Sequence, residues 1–256
     1  MTLHIIGIGL DNEKDITVKG LELIQKADIV YVECYTSKLN CSFHDLAKFY
    51  NKQIHLAHRE LVEADENEIL KHAKAHDVAF LVIGDPFSAT THLDLMMRAK
   101  KEGIKVTITN NASILTAVGI TGLQLYKFGK TTSVPYPEQN FQPETAYDVI
   151  KQNKTMGLHT LVLLDIKLDK QKFMTISEGI QILFDIEKKR KENVFTPQTL
   201  CVGVARAGSE HPTIKAGSAE GLLKVDFGAQ MHCLIVPGTL HFMEEDALRT
   251  WSTKKY

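Results

Sequence analysis

The chain has 256 residues, 44% of them hydrophobic and 24% charged, enough to bury a sizeable core in one large or two medium globular domains. Thirty basic side chains against thirty-one acidic ones give a formal charge of -1, which supplies no broad attraction for a nucleic-acid backbone or an anionic membrane. A small molecule or another protein is the expected partner.

Short apolar runs alternate with amphipathic stretches through the first half. The pattern predicts strands at 3–7, 28–32, 77–83 and 104–109, with helices at 15–27, 60–76 and 92–102. That alternation points to a mainly parallel sheet with helices on its faces. The pattern loosens over 110–125, where Asn110-Asn111 and then Gly119-Ile120-Thr121-Gly122 appear. A second set follows, with strands at 130–134, 159–165, 199–205, 213–217 and 232–236 and helices at 144–156 and 175–192. The fold class read here is α/β, with two α/β domains at 1–114 and 115–256 and no flexible linker between them. Neither a signal peptide nor a membrane span is expected, since strand-like residues begin at Leu3 and no apolar run is long enough to span a bilayer. Cys34, Cys41, Cys201 and Cys233 form no Cys-x-x-Cys pair, which predicts reduced thiols in a cytoplasmic protein.

The run Gly84-Asp85-Pro86-Phe87-Ser88 directly follows the apolar stretch Val78–Ile83. Pro86 fixes its own φ and biases Asp85 toward extended backbone, so the turn is stiff and the direction of the carboxylate is largely set. Gly84 lets main chain come close. An ordinary strand-to-helix turn, capped by Thr90 or Thr91, fits the same residues. The sharper reading is a ligand-holding strand end, because open α/β sheets bind small molecules outside the carboxyl ends of their strands. Asn111-Ala112-Ser113-Ile114, Leu163-Leu164-Asp165 and Val204-Ala205-Arg206-Ala207-Gly208 end other apolar runs in the same way.

Other chemistries fit less well. Gly7-Ile8-Gly9-Leu10-Asp11-Asn12 has Asn12 where a dinucleotide fold wants a third glycine, so Leu10 is read as an apolar wall. His72 and His76 have a metal-compatible i, i+4 spacing, but neither the glutamate of a zinc hydrolase nor a third ligand accompanies them, and no metal is expected. Ser209 lacks a nucleophile elbow. The run Glu187–Glu192 reads as an exposed helix end whose cations complement the dipole.

Taken together, Asp15-Ile16-Thr17-Val18-Lys19-Gly20, Glu33-Cys34-Tyr35-Thr36-Ser37, Gly84-Asp85-Pro86 with Ala89-Thr90-Thr91-His92, Gly119-Ile120-Thr121-Gly122-Leu123 and Ala205-Arg206-Ala207-Gly208-Ser209 resemble the diphthine synthases, within the wider tetrapyrrole methylase-like fold. The resemblance runs from the first strand almost to the carboxyl terminus. It implies two α/β domains with S-adenosylmethionine in the cleft between them, and a homodimer. By motif it implicates Leu10, Asp85, Ser88, Ser113, Ile114, Leu164, Ala205 and His232 in cofactor binding, and it names no catalytic residue. The implied reaction trimethylates the amino group of the 3-amino-3-carboxypropyl-histidine of elongation factor 2, giving diphthine. The alternative is another methylase of this fold, acting on a tetrapyrrole or corrinoid precursor or on ribosomal RNA. A donor that carries its own activated methyl group needs alignment rather than a protein nucleophile, which agrees with the lack of a triad or metal cluster.

Overall fold

The apolar runs become the strands of two separate five-stranded sheets in a computed structural model that describes residues 1–63, 68–88, 91–139 and 142–253. The chain divides into two units, Met1–Ile114 and Leu115–Tyr256.

The first unit contains, in order, β1 (Thr2–Gly7), α1 (Val18–Lys26), β2 (Ile29–Glu33), α2 (Phe43–Tyr50), β3 (His55–Ala57), α3 (Arg59–Glu63), α4 (Glu68–Ala73), β4 (Val78–Val82), α5 (Leu93–Lys101) and β5 (Lys105–Thr109). Its strands pair in the order β3-β2-β4-β1-β5, and every pairing is parallel. All five residues of β4 are buried, as a central strand covered on both faces requires. Alternation sorts the side chains between two cores. Leu3, Ile5, Phe80 and Val82 meet Ile69 and Leu70 of α4 and Leu95 and Ala99 of α5. Ile6, Ala79 and Leu81 meet Ile24 of α1 and Leu46 and Tyr50 of α2 on the other face. The neighbours β1 and β4 therefore send their following helices to opposite faces, and the switch point of the sheet lies at their carboxyl ends.

Local chemistry explains the helix starts. Thr17 accepts a hydrogen bond from the Gly20 amide, and Ser42 forms a capping box with Asp45. The expected helix 60–76 is represented by α3 and α4, and residues 64–67 lie outside the described residues. Sequence reasoning did not find α2 or β3.

At the boundary, α6 (Ile114–Ala117) and a 3₁₀ turn over Val118–Thr121 occupy the segment where periodicity fades. The second unit continues with β6 (Thr132–Val134), α7 (Thr145–Thr155), β7 (Thr160–Leu164), β8 (Ile166–Lys167), β9 (Lys172–Phe173), α8 (Ile176–Arg190), β10 (Leu200–Ala205), β11 (Thr213–Ser218), α9 (Ala219–Leu222), β12 (His232–Val236) and α10 (Phe242–Thr250). Its large sheet runs β11-β10-β12-β7-β6 and is mixed: β12 is antiparallel to both neighbours, whereas β6 and β7 are parallel. Helix α8 starts from a Thr175/Glu178 capping box and packs Ile176, Ile180 and Leu183 against Leu164, Ala205, Leu234 and Val236. The contact is close at Gly179, where a Cβ would stand 2.7 Å from Leu164 Cδ2.

Among the described residues no helix is long and apolar enough to cross a membrane. All four cysteines are free thiols.

Candidate functional site

In the first unit, the implicated residues occupy the ends of three adjacent strands. Leu10 follows β1, Asp85 and Ser88 follow β4, and Ser113 and Ile114 follow β5. The turns after β1 and β4 interlock through main chain. Gly84 N donates to Gly9 O at 2.7 Å, and a Cβ on Gly7 would stand 2.5 Å from Gly84 O. Leu10 Cδ2 lies 3.5 Å from where a Cβ of Gly84 would be. At Gly7 only glycine allows the approach. Gly9, at φ +82°, also leaves room for Asp15, whose carboxylate accepts from the amides of Leu10 (3.1 Å) and Asp11 (2.7 Å). Asn12 caps a short 3₁₀ turn over Glu13–Asp15, so the connection to α1 is longer than a dinucleotide loop.

Asp85 is 9% exposed and its carboxylate is fully engaged. Oδ1 accepts from Phe87 N (3.0 Å) and Ser88 Oγ (3.1 Å), and Oδ2 from Asn110 Nδ2 (2.9 Å) and Asn111 N (3.2 Å). Burial pushes its pKa up, but the bonds from Asn110, Phe87, Asn111 and Ser88 win and hold it below the usual carboxylate range. The carboxylate thus shapes the strand end from within, a different emphasis from a free acceptor for a ligand. Asn111 Nδ2 donates to Gly7 O (2.9 Å) and Asp15 O (3.0 Å), so one amide ties the turn after β5 to the turn after β1. Sequence reasoning missed this role for Asn110 and Asn111. The signal was present, as two amide side chains directly after a strand.

Thr91 donates to Glu63 Oε1 at 3.3 Å, and His92 occupies the N-cap of α5 without a side-chain cap bond. Ala89 and Thr90 lie outside the described residues. Ser113 is buried, and Ile114 opens α6.

In the second unit, three implicated residues stand in one row across three neighbouring strands. His232 opposes Ala205 in the β12–β10 register, and Cys233 opposes Leu163 on the other side. Stepping out by one position sets Leu164 beside His232. Because β12 runs against its neighbours, its first residue lies level with the last residues of β7 and β10. His232 also lines a cavity of about 160 Å³, with the first turn of α8 and the segment Val225–Gly228.

The His232 ring is 8% exposed. Nε2 lies 3.1 Å from both Gly228 O and Ala229 O, and these acceptors fix the proton there. Nδ1 is buried with no partner, so it is a bare acceptor. Burial lowers the pKa of the ring, outweighing the two carbonyl bonds that raise it.

The remaining sequence candidates are absorbed locally. His72 Nδ1 is 2.8 Å from Tyr31 Oη. Glu187 accepts from Tyr147 Oη and from the amides of Asn193, Val194 and Phe195, while Arg190 pairs with Asp148 and Glu192. Within the Glu187–Glu192 run, Glu187 and Arg190 therefore lock α8 to its surroundings, and Lys189 pairs with Glu144. Among the described residues no group of three His, Cys, Asp or Glu side chains is disposed to hold a metal.

The family model for tetrapyrrole (corrin/porphyrin) methylases matches residues 2–223. A diphthine synthase from Methanococcus maripaludis is 50% identical over 96% of this chain and 97% of its own. The chain belongs to the diphthine synthases of the tetrapyrrole methylase family. A diphthine methyl ester synthase from Dictyostelium discoideum is 44% identical over the whole of both chains. A crystal structure from Entamoeba histolytica, assigned to diphthine synthase, superposes with a TM-score of 0.92 at 42% identity, covering 99% of each chain. As a member of this family the protein is a methyltransferase of diphthamide biosynthesis. End-to-end likeness to diphthine synthases does not favour the tetrapyrrole or ribosomal-RNA alternative.

Proposed function

We propose that the protein transfers methyl groups from S-adenosylmethionine to the 3-amino-3-carboxypropyl-histidine of elongation factor 2, with trimethylation of its amino group as the outcome. The likeness to diphthine synthases over nearly the whole chain carries this reading. One structural observation supports the cofactor: the buried, unpartnered Nδ1 of His232 is an acceptor seeking a donor, and the adenosine part of S-adenosylmethionine carries amino and hydroxyl donors. Bound, the cofactor supplies a methyl group already activated on a sulfonium.

The chain then has two tasks, to orient the donor and to exclude water. Leu10, Ser88, Ser113 and Ile114, on turns held by Asp85 and Asn111, line the carboxyl edge of the first sheet. Leu164, Ala205 and His232 line the corresponding edge of the second. At each edge, side chains and main chain orient the part of the donor they meet and keep water out while the unprotonated amine approaches. Free thiols at all four cysteines fit a reducing, cytoplasmic setting. A homodimer is supported by exposed apolar side chains on two neighbouring segments of the second unit: Leu125 and Tyr126 on one, Phe242 and Met243 on the other. Glu244 joins these segments by accepting from Gln124 N.

The test incubates the protein with labelled S-adenosylmethionine and elongation factor 2 carrying the precursor side chain, followed by mass spectrometry of the modified histidine. Label on the factor with three methyl groups on nitrogen is expected. A fourth methyl on the carboxylate would align the product with the name of the Dictyostelium relative. Label on a corrinoid precursor alone would overturn the proposal.

A further inference from the structure

Arg206 follows the last residue of β10, next to Ala205, and its own backbone enters the left-handed region at φ +53°. Its amide donates to Met231 O at 2.8 Å. The guanidinium reaches back across the turn before β12. Nη1 donates to Phe227 O (2.9 Å) and Ala229 O (2.8 Å), and Nη2 to Thr213 Oγ1 (2.6 Å) and, at 3.4 Å, to His211 O. None of these acceptors is a carboxylate. A fixed cationic fork is directed at main-chain oxygens, an arrangement that sets the orientation of peptide groups.

One of those peptide groups faces His232. Ala229 O accepts from both Arg206 Nη1 and His232 Nε2, and Gly228 O is the second acceptor facing Nε2. Gly228 sits at φ +73°, and a Cβ there would stand 3.1 Å from Arg206 Nη1, so guanidinium and turn are fitted to one another. With Ala229 O held by Arg206 and Gly228 O beside it, the ring keeps its proton on Nε2 and presents Nδ1 as a bare acceptor.

We infer that Arg206 is a positioning residue: by clamping the carbonyls of Phe227 and Ala229 it fixes the tautomer and direction of His232, so that Nδ1 accepts a hydrogen bond from the adenosine moiety of S-adenosylmethionine. The inference rests on the cofactor assignment proposed above. Arg206 itself touches only protein. Two charged groups bear on the ring, Arg206, which disfavours its protonation, and Asp226, which favours it. Loss of the guanidinium removes the first and leaves the second.

The experiment compares wild type with Arg206→Lys and Arg206→Gln, by calorimetric titration with S-adenosylhomocysteine between pH 6 and 8, and by nitrogen-detected NMR of the His232 ring in the free protein. Expected in both variants is about tenfold weaker binding, steepening toward pH 6, together with loss of the single Nε2-protonated tautomer. Turnover at saturating cofactor should stay near wild type, so the loss appears in KM rather than kcat. Thr213→Val removes one partner of Nη2 and keeps the guanidinium; a smaller shift in the same direction is expected, and it serves as the readout should the arginine variants not fold. If wild type fails to bind S-adenosylhomocysteine, the cofactor assignment fails. If wild type binds and the variants bind equally well with an unchanged tautomer, the positioning role of Arg206 is overturned.

Discussion

Two of the buried carboxylates, one in each unit, look alike in saturation and in the direction of their pKa shift. Asp85 and Glu244 each accept four hydrogen bonds, and each is held below the usual carboxylate range. They differ in where they stand on their sheets and in what donates to them. Asp85 sits at the carboxyl edge of β4 among neutral donors from the neighbouring strand ends. Glu244 takes bonds from Lys127 Nζ and His159 Nε2, and from the amides of Gln124 and His241. His159 immediately precedes β7, whereas Leu164 ends it, so the cluster lies about 17 Å along the strand from the row holding His232. Saturation of a carboxylate does not separate site from scaffold, but its position relative to the strand ends does.

The largest effect is expected where the scaffold is broken. Glu244 has no exposed surface, and Glu244→Ala leaves the His159 ring without its acceptor and the Lys127 ammonium with only Thr239 O. We expect a loss of about 3–5 kcal/mol in unfolding free energy, measured by urea denaturation. Cofactor affinity should change by less than about twofold, because the site edge is remote. The same cluster makes stability pH-dependent in one sense. For Glu244, burial pushes the pKa up, but the bonds from Lys127, Gln124, His241 and His159 pull it down from 4.5 to about 2. For His159, burial lowers the pKa from 6.5, outweighing the pull of Glu244, and the ring accepts from Gly238 N through Nδ1. Both groups bind a proton more readily in the unfolded chain, so both contribute stability at high pH that is lost as pH falls. The loss begins below about 6.5 for His159 and below about 4.5 for Glu244, and the Glu244 contribution is gone near pH 2. In Glu244→Gln the acid limb between 4.5 and 2 should flatten.

A smaller but more specific effect is expected at Asp85. Asp85→Ala leaves the Asn110 amide, the Ser88 hydroxyl and two main-chain N–H groups without their acceptor, and it releases the turn that carries Ser88. Binding of S-adenosylhomocysteine, measured by calorimetry, should weaken more than tenfold, on the order of 1.5–3 kcal/mol. Here affinity and stability fall together, whereas at Glu244 only stability does. Equal losses of affinity in the two variants would break the distinction between a site edge and a scaffold edge.

Much of this contrast was legible in the sequence, and the illegible part has a physical reason. Strands such as Val78–Val82 announce themselves because a strand buried on both faces is apolar throughout. The start of α8 was legible through its apolar stripe. Helix α2 was missed although Ser42 and Asp45 spell a capping box, and β3, three residues at a sheet edge, carries too little pattern to read. Strand direction in the second sheet is not encoded locally: nothing in His232–Val236 says that it enters between β7 and β10 in the opposite sense. That direction is what sets His232 level with Leu164 and Ala205, so only family resemblance, not periodicity, reached it. The bonds from Asn110 and Asn111 to Asp85 were likewise hidden, because they join residues 25 and 26 positions apart in the chain.

The smallest effect is expected at His72, whose i, i+4 spacing with His76 is the most metal-like pattern in the sequence. The two imidazoles turn to different partners. His72 Nδ1 meets the Tyr31 hydroxyl at 2.8 Å and its ring stacks on that tyrosine, while His76 Nδ1 faces Asp28 at 4.0 Å across a solvent-exposed gap. Tyr31 belongs to β2, so the bond fastens α4 to its sheet on the face away from α1 and α2. His72→Ala should therefore cost about 1 kcal/mol of stability and leave the rate of methyl transfer unchanged, with or without a chelator. A turnover that collapsed in this variant, and recovered on adding zinc, would mean that the first unit holds its chemistry on a helix face rather than at the strand ends where Asp85 stands.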